Sequence, residues 1–237
     1  MLSQWLVDRV RAMSAGGPYR PPTDDERAAA IATVGDVLAG RPGGEHGVDE
    51  ATGRPITMVV AAAYWGTVVV QGVPDLVIEV PHPGSDRLTS RLGLELFRAL
   101  PTAALLVAGA HRDAADGAAD VAHRADSLFH ACAQVLAVPE LQLHGFAAAS
   151  APDTDAVVSP GAGLATDWHR DLDKALTQQG FRTRHHEHLA GRTNVQGIAA
   201  AALGRPFLHL ELAPLLRRDH RDRVVDAVTA SWHQQRD

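Results

Sequence analysis

The chain has 237 residues, 46% hydrophobic and 21% charged, and a formal net charge of −6. That length builds one sizeable core, and the composition and lack of an internal repeat exclude a disordered chain, a fibre or a repeat array. A negative net charge and one lysine, Lys174, among scattered arginines exclude the concentrated basic face that nucleic acid requires.

Residues 1–14 and 23–39 read as two amphipathic helices, parted by Gly16-Gly17-Pro18-Tyr19-Arg20-Pro21-Pro22. Charge falls within the first apolar run, and the basic, apolar and small segments of a leader are missing. The expectation is a cytoplasmic protein with no membrane partner. Thr23 followed by Glu26 is a capping-box pattern, and residues 40–53 read as a loop. From Ile56 on, short apolar runs alternate with helical patterns, which predicts an α/β fold with helices on both faces of a sheet. Strands are expected over residues 56–62, 67–71, 76–80, 103–108, 141–144, 156–159, 182–186 and 206–212. Helices are expected over 86–99, 121–136, 166–179, 193–203 and 221–234. Residues 1–40 then form an N-terminal helical extension, and residues 55–237 a single α/β domain.

Cys132 is the only cysteine, so disulfides within the chain and thiolate metal clusters are excluded, and any metal must be held by His, Asp and Glu. Three apolar runs end on such residues: Leu76-Val77-Ile78-Glu79-Val80-Pro81-His82, Leu141-Gln142-Leu143-His144 and Leu208-His209-Leu210-Glu211. Strand ends in an α/β sheet border the crevice where ligands bind. Two imidazoles and a carboxylate suit a zinc ion (Zn2+) with an open coordination place, and a further glutamate suits a base. His82 and Asp86 flank a tight turn after the strand; Asp86 either joins His82 or caps the following helix. His144 precedes Gly145, a residue that lets backbone approach a ligand closely. Glu211 shares a strand face with Phe207 and His209; it is either a general base or one half of a buried salt bridge to Arg217.

The series His82-Pro83-Gly84-Ser85-Asp86-Arg87-Leu88-Thr89, Gln142-Leu143-His144-Gly145-Phe146, Val157-Val158-Ser159-Pro160-Gly161-Ala162, Gly191-Arg192-Thr193-Asn194-Val195-Gln196-Gly197 and Leu210-Glu211-Leu212-Ala213-Pro214-Leu215-Leu216-Arg217 resembles the phage-type poly-γ-glutamate hydrolases. More loosely it resembles the N-formylglutamate amidohydrolases, and both belong to the zinc hydrolases of carboxypeptidase-like fold. The resemblance spans residues 75–217 and implies a mixed central sheet. It further implies that His82, an acidic residue shortly after it and His144 hold zinc, and that Glu211 activates the metal-bound water. Asp120-Val121-Ala122-His123-Arg124 looks like the Asp-x-x-Arg portion of the N-formylglutamate group, which would make Arg124 a clamp for a substrate carboxylate. Asp86 is one methylene shorter than the glutamate common in the phage hydrolases, with a spacing one residue shorter.

His111 ends another strand and could replace or supplement a ligand, or bind substrate. Asn194 could hydrogen-bond substrate, while Thr193 beside it could cap a helix. His185, His186 and His188 read as a solvated edge. The expected activity is hydrolysis of an amide bond in a small acidic, peptide-like or γ-glutamyl substrate, with Arg124, Arg192 and Arg217 as carboxylate partners. The alternatives are a metal- or small-molecule-binding protein without catalysis, and a hard-metal site built from Asp86, Asp113 and Asp120.

Overall fold

Runs such as Leu76–Val80 and Ala103–Val107 are too short for helices and too apolar to face water on either side, so they pair as buried strands and need cover on both faces. The computed structural model describes residues 2–62 and 64–236; Met1, at the start of the first expected helix, lies outside them. The elements in order are α1 (Leu2–Ala12), α2 (Asp24–Leu38), β1 (Glu45–Val48), β2 (Pro55–Val60), β3 (Thr67–Val70), β4 (Leu76–Val80), α3 (Thr89–Ala99), β5 (Ala103–Val107), α4 (Leu128–Leu136) and β6 (Glu140–Gly145). They continue with β7 (Ala156–Ser159), α5 (Asp167–Gln178), α6 (Val195–Ala202), β8 (Phe207–Leu212), α7 (Pro214–Asp219) and α8 (Arg221–Gln234). Among the described residues, no helix is long and apolar enough to cross a membrane.

The strands form one 8-stranded sheet in the order β1-β2-β3-β5-β4-β6-β8-β7. The β4–β5, β4–β6 and β6–β8 pairs are parallel and the rest antiparallel, so the sheet is mixed. Side chains alternate across it. Leu76, Ile78, Val80, Leu141 and Leu143 point to the face packed by Leu6 of α1, Phe97 of α3, Leu172 of α5 and Val228 of α8. Val77, Ala104 and Leu106 point to the other face, covered by Val34 of α2 and Phe129 of α4. By the same alternation Glu79, Gln142, His144, His209 and Glu211 project to this second face, where α6 also lies. Fully burying each leucine-sized side chain contributes about 1.5–3 kcal/mol.

The capping box forms as expected, with Thr23 accepting from Glu26 N and Glu26 accepting from Thr23 N. Elsewhere the boundaries differ from the sequence reading. The loop expected over 40–53 contains β1, an edge strand exposed along its length that has no apolar alternation to betray it. The helix expected from Asp86 begins at Thr89, behind Leu88 in the left-handed region at φ 73°. The helix expected from Val121 begins at Leu128, where the Ser127 side chain accepts from His130 N. The strand expected over 182–186 is reduced to one bridge between Ala156 and Thr183, because this polar segment has no apolar face to bury. The short helix α7, with proline in its first turn, was not anticipated.

Candidate metal centre

Three adjacent parallel strands end at one edge of the sheet. His82 lies just past β4, His144 lies in β6, and Glu211 lies in β8 directly opposite His144. After His82 the chain turns back on itself, with Asp86 N donating to His82 O at 2.8 Å. The turn swings the Asp86 carboxylate over the end of β6, where Oδ2 accepts from Gly145 N at 3.1 Å. The same oxygen lies 3.2 Å from His144 Nδ1 and 3.5 Å from His82 Nδ1. Asp86 therefore serves this cluster instead of capping α3. Gly145 is required here for a different reason from the one expected: a Cβ would collide with the Arg217 guanidinium.

Each imidazole gives its other nitrogen to an oxygen. His82 Nε2 is 2.7 Å from Asp120 Oδ1, and His144 Nε2 is 3.0 Å from Gln142 Oε1. An N–H directed at such an acceptor leaves the lone pair on the opposite nitrogen, the arrangement that metal-ligating histidines adopt. A tetrahedral ion with bonds of about 2.0–2.1 Å sets its ligand atoms about 3.3 Å apart. The two Nδ1 atoms meet that spacing to Asp86 Oδ2, and His82, Asp86 and His144 are all buried. Hard and borderline cations with nitrogen and oxygen ligands fit this donor set, and the ligand atoms of His82, Asp86 and His144 all lie within 4.8 Å of one another.

The electrostatics follow from burial and from these contacts. Burial disfavours the Asp86 anion, but hydrogen bonds with His144 and His82 prevail and hold its pKa well below the carboxylate range. Asp120 is held down to about 2, its burial being outweighed by the hydrogen bond with His82 and by Arg112. Burial lowers His144 to about 4, so that imidazole is neutral at neutral pH. For His82, burial is outweighed by the hydrogen bonds to Asp120 and Asp86, and its pKa is raised.

Glu211 is 9% exposed and Oε2 has no hydrogen-bond partner. Burial first, and then the Asp86 charge, push its pKa up to about 8. The salt bridge to Arg217 does not form, because Arg217 donates to the carbonyls of Leu212, Arg87 and Phe146. His209 Nδ1 is likewise buried and unpartnered, and its ring leans on His144 with centroids 4.7 Å apart. Together with Glu211 and His144 it forms a second group whose ligand atoms lie within 4.8 Å. Both orphaned atoms belong to residues lining a cleft of about 550 Å³ that holds all three candidate ligands.

Of the remaining expected residues, Asn194 lines the cleft, with Nδ2 donating to Gln142 Oε1 at 2.6 Å. Arg192 lines it too, paired with Glu187 at 2.5 Å. Arg124 does not: it grips Asp126 two residues on, Nη2 to Oδ2 2.8 Å, because the helix it was expected to open starts later. His111 also stands outside the cleft, against Gly84 on the turn after β4 and 3.6 Å from Asp113. Asp113 is exposed, so Asp86, Asp113 and Asp120 are not gathered into one site. Arg112, which the sequence reading passed over, lines the cleft where Arg124 does not, and binds Asp120 Oδ2 at 2.7 Å. His209 was visible as a face-mate of Glu211, and Gln142 as a buried polar residue two places before His144.

No family model matches the chain, and no curated protein does. Among solved structures it is similar to a bacteriophage poly-gamma-glutamate hydrolase at 13% identity and TM-score 0.55, over 70% of this chain and 87% of that one. It is also similar to a gene product of Agrobacterium tumefaciens at 11% identity and TM-score 0.51, over 80% of this chain and 99% of that one. An N-formylglutamate amidohydrolase from Ralstonia eutropha aligns at 14% identity and TM-score 0.49, over 73% of this chain and 97% of that one. The fold is that of the phage hydrolase, as the sequence resemblance implied.

Proposed function

We propose that the chain is a zinc-dependent amidohydrolase or peptidase acting on an amide bond in a small acidic or γ-glutamyl-type substrate. The observation that carries this reading is the pair of Nδ1 atoms 3.2 and 3.5 Å from one Asp86 oxygen, each imidazole fixed from behind through Nε2. Zinc held by His82, Asp86 and His144 would supply a Lewis acid and a bound water of lowered pKa, about 7.

Glu211 Oε2, buried and free of other partners, accepts the proton of the attacking water and returns it to the leaving nitrogen. Without a metal its raised pKa, about 8, keeps it protonated at neutral pH. A dication on the neighbouring ligands would favour the ionised form and ready it as a base. Arg192 and Arg112 line the same cleft and supply the charge that a substrate carboxylate meets.

The test is the metal content and turnover of protein purified without added metal. About one zinc per chain is expected, lost in His82→Ala and in His144→Ala, together with hydrolysis of N-acylglutamates or γ-glutamyl peptides. Zinc without turnover on such a panel would leave a binding protein, and wild-type zinc in both variants would overturn the site.

A further inference from the structure

A chain of buried polar groups runs beneath the cleft along one face of the sheet to His144. Glu79 of β4 stands opposite Gln142 of β6, with Glu140 two residues before Gln142 on the same face. All three are 0% exposed. A sheet interior of leucines would cost less than two carboxyls and an amide.

The chain has a direction, because its end groups can play only one part each. Arg205 has donors alone and gives Nη2 and Nε to Glu140 Oε1 at 2.5 and 3.0 Å. Burial and the neighbouring Glu140 charge push Glu79 well above the carboxylate range, and burial raises Glu140 to about 7 against the pull of Arg205. Glu79 Oε2 then accepts from Gln142 Nε2 at 2.8 Å. Gln196 locks the same amide a second time: its Nε2 donates to Val121 O at 2.9 Å, leaving Oε1 to accept from Gln142 Nε2 at 3.2 Å. Gln142 Oε1 is thereby turned towards Asn194 Nδ2 and His144 Nε2. An amide oxygen cannot donate, so the 3.0 Å contact from His144 Nε2 to Gln142 Oε1 calls for the hydrogen on Nε2, while Nδ1 faces Asp86 Oδ2 at 3.2 Å and Asn194 Nδ2 lies 3.4 Å from Nε2.

We propose that Glu79, backed by Glu140 and Arg205, is a positioning group for His144: through Gln142 it holds the imidazole hydrogen on Nε2 and dedicates Nδ1 to the metal. The assignment rests on the metal reading of His144 given above. Glu79 touches neither the cleft nor the ligand, and it acts only by fixing which way Gln142 faces.

The experiment is nitrogen NMR of metal-free protein labelled in histidine, which distinguishes a ring nitrogen bearing hydrogen from one bearing a lone pair, together with zinc titration. In the wild type His144 is expected to carry its hydrogen on Nε2. Glu79→Gln keeps an oxygen that can accept from Gln142 Nε2, so it should keep that tautomer and wild-type zinc affinity. Glu79→Met removes the nearer of the two acceptors of Gln142 Nε2, leaving Gln196 Oε1 at 3.2 Å to hold the amide, and should give mixed tautomers with zinc affinity reduced on the order of tenfold. Should Glu79→Met fail to fold, Glu79→Val, a better strand former, replaces it. Hydrogen on Nδ1 in the wild type overturns the proposal, as does an apolar variant that keeps a single Nε2–H tautomer and full zinc affinity. Absence of zinc binding from every form would instead fail the metal reading, because the tautomer is read without metal.

Discussion

His82 Nε2 lies 2.7 Å from Asp120 Oδ1, so a carboxylate from the loop after β5 holds the imidazole that follows β4. Arg112 binds the second oxygen of the same carboxylate, which fixes the direction in which it faces His82. Loss of such an outer partner typically lowers metal affinity by about 10–100-fold. Asp120→Ala is therefore expected to stay folded and to bind zinc weakly in competition with a chromogenic chelator. Wild-type affinity in that variant would remove Asp120 from the site.

Glu211→Gln keeps the shape of the side chain and removes its basicity. It is expected to retain zinc and to lose about 10²-fold or more in kcat. Full activity would end the assignment of Glu211 as the base. Loss of zinc would instead point to a ligand role alongside His144 and His209.

The raised pKa of Glu211 also sets a pH dependence of stability in metal-free protein. Its folded value, about 8, exceeds the ordinary 4.5, so between those values the native state binds more protons than the unfolded chain. The stabilisation is complete below the unfolded value and is lost as pH rises through the folded one, on the order of 5 kcal/mol over the whole window. Denaturant unfolding of Glu211→Gln beside wild type should show the variant gaining relative stability from pH 5 to pH 8. Parallel curves for the two proteins would mean that Glu211 is not shifted upwards.

Arg192 and Arg124 separate by location. Arg192 lines the cleft and Arg124 is tied to Asp126 outside it. A charge-assisted hydrogen bond contributes roughly 1.5–3 kcal/mol, so Arg192→Lys, which loses the planar fork, should raise KM for acidic substrates more than about tenfold. Arg124→Lys should leave the kinetics unchanged. The reverse pattern would return the clamp to Arg124.

Much of this was legible because strand-terminal residues are read from local pattern alone. His82, Asp86, His144 and Glu211 each sit at or just past an apolar run, and the structure gathers all four in one cleft. Asn194 and Arg192 were legible from a different local pattern, a Gly-Arg-Thr-Asn turn that leads into a helix. Long-range pairing was not legible. Nothing local marks Asp120 as the partner of a histidine 38 positions earlier, or Gln142 as the partner of Glu79. Arg124 misled because the helix boundary was misplaced: Ser127 caps α4, so residues 121–127 form turns that direct Arg124 to Asp126. The edge strand β1 was missed because an exposed strand carries no apolar alternation to read.

The candidate ligands and base come from β4, β6 and β8, which are side-by-side parallel strands in the sheet. Parallel neighbours can be joined only by long crossovers, and His82 and Glu211 are far apart along the chain. Closing loops of that size is slow, so these contacts are expected to form late, when most of the sheet is already in place. An ion at this centre would arrive as a guest of the finished fold and could not serve as the seed around which the chain collects. Refolding should then proceed at the same rate with a chelator present, and the ion's contribution would appear in how slowly the native protein comes apart.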